Sequence, residues 1–162
     1  ADHALGRSRG GWGSKLHLLS DGHGLVLTLK LTPGQDHECT HATSVLDGIR
    51  ITRLRGRPRQ RPTAVAGDKG YSSRAIRAWL RAKKVQALIP ERRDQIVHRK
   101  GRPLKFDRVA YRRRNVIERA VGWLKECRRL ATRFEKLATQ FHAMLKLAMI
   151  EQHMHRYLSN TA

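Results

Sequence analysis

The stretch spanning residues 111–125 (YRRRNVIERAVGWLK) places the strongest constraint on how this chain can fold. Four of its polar residues stand at successive steps of three, four and seven: Tyr111, Arg114, Glu118 and Lys125. Each step is close to a whole number of α-helical turns, so a helix here projects all four from one side. The stretch therefore predicts a helix that presents one carboxylate among cations and a phenol.

The opposite side of this predicted helix is apolar. The residues expected there, including two flanking leucines, are Val109, Val116, Ala120, Cys127, Leu124 and Leu130. Asp107 is expected to cap the helix, which then continues to about Ala131. The simplest alternative interpretation of Glu118 is a solvated acid in a surface ion pair, an interaction that contributes little energy.

The charge balance indicates what kind of partner the chain binds. Its 162 residues contain 34 Lys and Arg against 13 Asp and Glu, which gives a formal net charge of +21. Such an excess is self-repulsive unless a polyanion neutralises it, and it drives salt-dependent binding to phosphates. We therefore expect a nucleic acid partner. A membrane-surface partner is disfavoured, because no basic amphipathic helix with Trp or Phe on its apolar side stands out. No apolar run approaches the roughly 20 residues that span a bilayer.

The cysteines and histidines do not follow a metal-binding pattern. Cys39 and Cys127 lie far apart in the sequence, and the 9 histidines form no ligand set with them. We expect both cysteines to be reduced in a cytoplasmic protein, with Cys127 on the core side of the long helix. The length of the chain is that of one globular domain.

The N-terminal part predicts a β-hairpin. Residues 1–11 are rich in Gly and Arg and are expected to be flexible. Trp12–Ser20 and Leu25–Leu31 alternate polar and apolar residues, as half-buried strands do. Asp21 lies in the turn between them, where we interpret it as a turn former and not as a catalytic acid.

A helix and a basic loop are expected next. Asp36 is the predicted N-cap of a helix that ends at about Ile49 and buries Val45, Leu46 and Ile49. Residues 50–62 carry several arginines between Gly and Pro, which predicts a surface loop. This loop is interpreted either as a solvated connector or as a nonspecific phosphate contact.

The middle of the chain predicts a strand, a helix and a second strand. Thr63–Gly67 and Val85–Ile89 are short apolar runs, and this order indicates a right-handed parallel crossover. Ser72 or Ser73 is expected to cap the helix between them, which continues to about Lys84. Its predicted inward residues are Ile76, Trp79 and Leu80.

The remaining segments are a second basic loop and a last helix. Residues 91–106 are polar, basic and without periodicity, so we expect a mobile loop. Residues 139–158 show a helical apolar stripe made by Phe141, Leu145, Ala148 and Met149. The methionines of this helix, Met144, Met149 and Met154, are expected to pack in the core.

Asp68 directly follows the first of the predicted parallel strands, in the run AGDKGY. Ligands of α/β sheets collect at the carboxyl ends of strands, so Asp68 is a candidate ligand. The alternative is a turn-forming Asp that accepts a hydrogen bond from the backbone at Gly70. Divalent-metal phosphoryl transfer needs convergent carboxylates, and Asp68 and Glu118 can supply two of them.

Four motifs of the chain together resemble those of one protein family. The spacing Y-x2-R-x3-E-x6-K fits the helix stretch without a gap, and GRSRGG at 6–11, LTPGQ at 31–35 and AGDKGY at 66–71 extend the likeness over most of the chain. The sequence thereby resembles the DDE transposases of bacterial insertion sequences, in the group named after insertion sequences four and five.

This resemblance implies a fold, a metal and a set of functional residues. The implied fold is a ribonuclease-H-like mixed α/β sheet flanked by helices. Asp68 matches the family's second acid and Glu118 its third, so both would be catalytic and bind Mg²⁺ or Mn²⁺. Tyr111, Arg114 and Lys125 would contact transposon-end DNA, and the adjacent Lys69 is a further candidate for a phosphate contact.

The family's first acid has no counterpart in the sequence. It belongs to the first strand of the sheet, upstream of the GRSRGG-like run, and Asp2, Asp21 and Asp36 do not fit it. We therefore expect residues 1–162 to be the C-terminal part of one catalytic domain, lacking its first strand and doubtful in activity alone.

The expected function is DNA transposition in a bacterial cytoplasm, by metal-dependent cleavage of transposon ends and strand transfer. The resemblance also implies a homodimer on paired ends, although no residue indicates a dimer surface, and neither a membrane nor a small-molecule substrate is expected. The alternative is a non-catalytic basic nucleic-acid-binding protein derived from the same fold. A basic structural protein of a ribosome-like assembly is a third hypothesis.

Overall fold

A computed structural model describes residues 2–51 and 55–159 of the chain. The chain forms two compact units, one from the described residues of Ala1–Asp36 and Val116–Ala162 and the other from those of His37–Asn115. We call them unit 1 and unit 2. Both combine helices with a small β-sheet, so the predicted α/β class is confirmed.

Unit 1 contains a three-stranded antiparallel sheet. Its strands are β1 (Gly6–Ser8), β2 (Gly11–Ser20) and β3 (Val26–Pro33), in that order across the sheet. The predicted hairpin is therefore confirmed. The prediction that residues 1–11 are flexible is wrong for β1, because Gly6 pairs with Gly13 and fixes the segment in the sheet.

The β2–β3 turn is organised by Asp21, as the sequence predicts. Its Oδ1 accepts hydrogen bonds from the backbone N–H groups of His23 at 2.8 Å and Leu25 at 3.0 Å. Gly24 has φ of +90°, and a Cβ there would stand 3.4 Å from the Val116 carbonyl oxygen. The turn thus needs a glycine both for its backbone conformation and for its close approach to the next helix of the unit.

The core of unit 1 lies between the hairpin and the C-terminal helices. Leucines of β2 and β3 stand opposite each other in register, Leu16 with Leu31 and Leu18 with Leu29. They pack against a buried cluster from the helices: Leu124, Leu130, Phe141, Leu145 and Ala148. Alternation along the strands therefore provides one apolar sheet face for these helices.

The single long helix predicted after Asp107 is wrong. The segment forms α4 (Arg108–Arg112), α5 (Asn115–Glu126) and α6 (Arg128–Ala131). The first break arises because the backbone N–H groups of Arg113 and Arg114 bond to carbonyls three residues back, which ends α4 in a tight turn. At the second break, Cys127 has an extended backbone. The Asp107 cap itself is confirmed, since its Oδ1 accepts from Ala110 N.

The apolar side predicted for that helix is only partly buried. Ala120, Leu124 and Leu130 lie in the core. Cys127, expected to face the core, is exposed, and Val109 is 71% exposed. Both residues lie at or before a break, so the periodicity of an uninterrupted helix does not apply to them.

Helix α7 (Ala138–Ser159) confirms the predicted last helix. Phe141, Leu145 and Ala148 are its buried residues. Met144 packs on the core and Met149 is half-buried, but Met154 is 57% exposed, so its predicted core position is wrong. In the described part of the chain, none of the helices is long and apolar enough to cross a membrane.

Unit 2 begins with α1 (Glu38–Asp47). Its N-cap is His37, without a side-chain hydrogen bond, so the predicted Asp36 cap is wrong. The N–H of Asp36 instead bonds to the Pro33 carbonyl, within the turn that follows β3. Val45, Leu46 and Ile49 are buried as predicted.

A parallel strand pair follows in unit 2. Strands β4 (Ala64–Ala66) and β5 (Gln86–Leu88) are joined through α2 (Arg74–Ala82), which confirms the predicted strand–helix–strand order and the parallel pairing. The right-handedness of the crossover stays a prediction. Ile76 and Leu80 of α2 are buried, and Trp79 is half-buried.

The two predicted basic loops differ from expectation in part. Within 91–106 a short helix, α3 (Arg93–Val97), forms, because Gln95 bonds to Ser72 through both its oxygen and its nitrogen. Glu91 and Arg99 pair at 2.6 Å in the same segment. Within 50–62, Ile51 and Arg59 form a β-bridge, and residues 52–54 lie outside the described part.

Removal of the N-cap side chain of α2 tests how much this cap contributes to stability. Ser73 Oγ accepts from Ile76 N at 3.1 Å, so we expect Ser73→Ala to lower the free energy of unfolding by about 1 kcal/mol. Urea denaturation followed by circular dichroism measures the change. Ser44→Ala within α1 is the control and should be neutral or slightly stabilising. Equal losses from both variants would contradict the capping role.

A pair of leucines in α7 tests the position of the core. Leu145 is 2% exposed and Leu147 is 58% exposed on the same helix. We expect Leu145→Ala to cost about 2–5 kcal/mol and Leu147→Ala to cost less than about 0.5 kcal/mol. Thermal and urea unfolding of the two variants compare them directly, and similar costs would contradict the assigned face of α7.

Candidate active site

Asp68 is placed at the end of β4 by the parallel pairing in unit 2. Gly67 N still bonds to the Leu88 carbonyl at 3.3 Å, and Asp68 follows outside the ladder. The side chain is exposed, and its Oδ1 accepts from Gly70 N at 2.8 Å at the start of the 3-10 turn Lys69–Tyr71. The turn-forming role is thus present, yet a carboxylate has about four acceptor positions and can bind a ligand as well.

A second carboxylate, Glu38, lies beside this turn. A Cβ built on Gly70 would stand 2.8 Å from Glu38 Oε2 and 3.0 Å from Asp68 Oδ1. The two acids therefore flank the same glycine, and any side chain there would displace one of them. Sequence reasoning missed Glu38, because the approach arises from packing of α1 on the turn; the only local signal is an acid in the first turn of a helix.

Tyr71 closes the turn and responds to both acids. Burial, followed by the negative charges of Glu38 and Asp68, raises the pKa of Tyr71 to about 12. The phenol is therefore protonated at any physiological pH and serves only as a neutral group beside the carboxylates. Lys69, the predicted phosphate contact, is exposed in the same turn.

Tyr111 and Arg114 come together in unit 2. Tyr111 lies in α4 and is half-buried, with the Phe106 ring at 5.2 Å between centroids. The guanidinium carbon of Arg114 lies 5.7 Å from the centre of the Tyr111 ring. A cation–π contact of this kind orients a guanidinium near the surface, where it can also approach a phosphate.

Glu118 and Lys125 are carried by α5, and their side chains belong to unit 1. Both are exposed, Glu118 in the first turn of the helix and Lys125 in the last. Seven residues separate them, so they project from the same side about 10 Å apart along the axis. An acid at the start of a helix and a base at its end also stabilise the helix dipole.

The predicted common face of the four signature residues does not rest on one helix. Tyr111 belongs to α4, Arg114 follows it in the break, and only Glu118 and Lys125 share α5. Asp68 lies in unit 2 and Glu118 in unit 1, so convergence of these two acids stays a prediction.

The available donors suit a hard divalent cation better than zinc. Across residues 2–51 and 55–159 there is no group of three or more His, Cys, Asp and Glu that could hold a metal. Mg²⁺ is commonly bound by one or two carboxylates together with water and substrate phosphates. An exposed carboxylate at a strand end, with Glu38 beside it, fits that donor requirement.

Comparison with known proteins shows which family the chain resembles. The family model described as "Transposase DDE domain" matches residues 3–150. The chain is 37% identical over 136 residues to the "Putative transposase for insertion sequence element IS402" of Burkholderia cepacia, covering 83% of this chain and 60% of that protein. No solved structure matches.

Two further relatives have the same kind of name. The "Putative transposase for insertion sequence element IS6501" of Brucella ovis is 32% identical over 136 residues, covering 83% of this chain and 93% of that protein. The "Transposase for insertion sequence element IS1106" of Neisseria meningitidis serogroup B is 30% identical over 119 residues, 69% of this chain and 35% of that protein. Because the family model matches residues 3–150, which is most of the chain, the chain belongs to the DDE transposase domain family of bacterial insertion sequences.

Proposed function

We propose that this chain supplies residues for DNA transposition, in which transposon ends are cleaved and joined to target DNA by metal-dependent phosphoryl transfer. The observation that carries the proposal is the exposed Asp68 carboxylate at the end of a parallel strand, within a chain of this family. A ribonuclease-H-like sheet and action as a homodimer on paired ends are part of the same proposal.

Asp68 and Glu118 are the proposed metal ligands. Mg²⁺ or Mn²⁺ held by these two carboxylates would supply activation of the attacking hydroxyl and stabilisation of the leaving oxygen of the scissile phosphate. The Asp68 side chain is exposed and is oriented by the hydrogen bond that its Oδ1 accepts from Gly70 N. Glu118 is presented from an exposed position of a regular helix, so its backbone is rigid.

The proposed DNA-binding residues are Tyr111, Arg114, Lys125 and Lys69. Arg114 stacks on Tyr111, which reduces the freedom the guanidinium loses on binding a phosphate. Lys125 shares the exposed side of α5 with Glu118, and Lys69 follows Asp68 directly. Lys125 and Lys69 therefore accompany the acids Glu118 and Asp68, and Arg114 accompanies Tyr111. From these positions we expect the three cations to bind phosphates that flank the scissile bond.

Removal of either proposed metal ligand tests the catalytic assignment. Asp68→Asn and Glu118→Gln keep the size of each side chain but remove its charge, so we expect Mg²⁺-dependent cleavage of transposon-end DNA, measured with the upstream part of the catalytic domain supplied in trans, to fall about 100-fold or more. Asp94→Asn in unit 2 and Glu126→Gln at the end of α5 are matched controls, since both acids are exposed. Cleavage that is unchanged in Glu118→Gln would rule out the assignment.

The same variants separate an enzyme from a binding protein. The net charge of +21 by itself favours nucleic acid binding without catalysis as a second candidate function. That candidate predicts DNA affinity indifferent to Mg²⁺ and to Asp68→Asn. If addition of Mn²⁺ to the metal-free protein restores cleavage in the unaltered chain but not in Asp68→Asn, binding without catalysis is excluded.

The salt dependence of DNA affinity tests the proposed phosphate contact of Arg114. Loss of one such contact should reduce the slope of log affinity against log salt by about 1 and weaken binding to all sequences equally. We therefore expect this result for Arg114→Gln in fluorescence anisotropy titrations at several salt concentrations. Arg92→Gln is the control, because Arg92 pairs with Asp94 at 3.3 Å. Identical slopes for the two variants would contradict the contact.

A further inference from the structure

The inward side of α7 changes character halfway along the helix. Its first half contributes apolar residues to the core: Phe141, Leu145 and Ala148. Continued at the same helical spacing, the second half offers Gln152, His155, Arg156 and Ser159. Apolar residues at those positions would simply extend the core. The polar residues instead line a cleft against the β2–β3 turn and α5, all within unit 1.

Hydrogen bonds fix the wall of this cleft in advance of any ligand. Gln152 accepts from Val26 N at 3.3 Å and donates to the Gly24 carbonyl at 3.4 Å. Arg156 Nη1 donates to the His23 carbonyl at 3.2 Å. A guanidinium has five N–H donors, so Arg156 can hold the turn and still donate to a bound group. The cleft is therefore preorganised by side chains that also carry binding capacity.

The volume of the cleft is suited to a small ligand. Its volume is about 440 Å³, which lies in the range of about 300–1,000 Å³ typical of sites for single small molecules. A DNA duplex is too wide to enter such a cavity, since even its major groove is about 12 Å across. One nucleotide, made of a planar base and a phosphate, is of a suitable size.

The lining chemistry matches such a nucleotide. Trp123 of α5 provides an aromatic wall and also packs against the buried cluster of unit 1, which restricts its movement. His23, His155 and Arg156 provide nitrogen donors for an anion. None of the described residues that line the cleft is acidic. An anionic aromatic ligand is thus favoured over a cation.

We propose that this cleft binds one unpaired nucleotide of a DNA strand, with the base stacked on Trp123 and the phosphate bonded to Arg156 and His155. The proposal rests on the DNA-binding function proposed above and adds a specific position to it. Stacking of single-stranded bases on aromatic side chains is a common, sequence-tolerant mode of binding. Trp123 lies on α5, the helix that also carries Glu118.

Tryptophan fluorescence tests the proposal without disturbing the cleft. The chain has three tryptophans, and replacing the other two in Trp12→Phe/Trp79→Phe leaves Trp123 as the single reporter. We expect strong quenching by a duplex with a short single-stranded tail and little quenching by the same duplex with blunt ends. The matched reporter retains only Trp79, a half-buried helix residue of unit 2, and should respond equally to both DNAs.

The DNA affinities of Trp123 variants provide a second test of the proposed nucleotide site. We expect Trp123→Ala to weaken binding to tailed DNA about 5- to 100-fold while leaving blunt duplex affinity unchanged, and Trp123→Phe to retain most of the preference. Trp79→Ala is the control and should not alter the preference for tails. Because Trp123 also packs on the core, Trp123→Phe and the fluorescence reporter keep the test valid if the alanine variant unfolds.

The outcomes separate failure of this proposal from failure of the proposed function. If the chain binds and cleaves DNA but tailed and blunt duplexes quench Trp123 fluorescence equally, the nucleotide site is overturned. The transposase function is then left intact. Quenching by free thymidine monophosphate as strong as that by the tailed duplex would overturn binding of a DNA strand. No binding of any DNA would overturn the proposed function, and with it this site.

Discussion

Unit 1 depends on contact between segments that are far apart in the sequence. The leucine face of β2 and β3 belongs to its first segment, whereas α5, α6 and α7 come from its second, with all of unit 2 inserted between them. Closing so long a loop costs entropy, which burial of the shared apolar cluster must outweigh. The position of α5, and thus of Glu118 and Trp123, follows from this packing.

Features governed by neighbouring residues could be predicted from the sequence. The Asp21 turn, the Ser73 cap and the Asp107 cap each involve hydrogen bonds spanning at most four residues, so their patterns are visible in the chain itself. Strand β1 was missed because its order comes from pairing with β2 and not from its Gly-rich composition. Helix α3 was missed for a similar reason, since Gln95 is fixed by the distant Ser72.

The candidate site likewise contains features that the sequence shows and features that depend on tertiary packing. Asp68, Tyr111, Arg114, Glu118 and Lys125 could be named from motif spacing, but the break after α4 could not, because helical periodicity continues through it. Glu38 and the cleft beside Trp123 depend on tertiary packing, which one sequence does not display. Periodicity shows where a helix can form, and only the backbone hydrogen bonds show where it stops.

Gly70 has a consequence for how such a sequence tolerates random change. A Cβ at this position would stand 2.8 Å from Glu38 Oε2 and 3.0 Å from Asp68 Oδ1, so even alanine requires a carboxylate to move. A substitution here acts on the position of the two carboxylates and not on the backbone, although the glycine contributes no functional group of its own. Among drifting copies of a mobile element, a replaced glycine here would therefore mark a damaged site while both acids were still present.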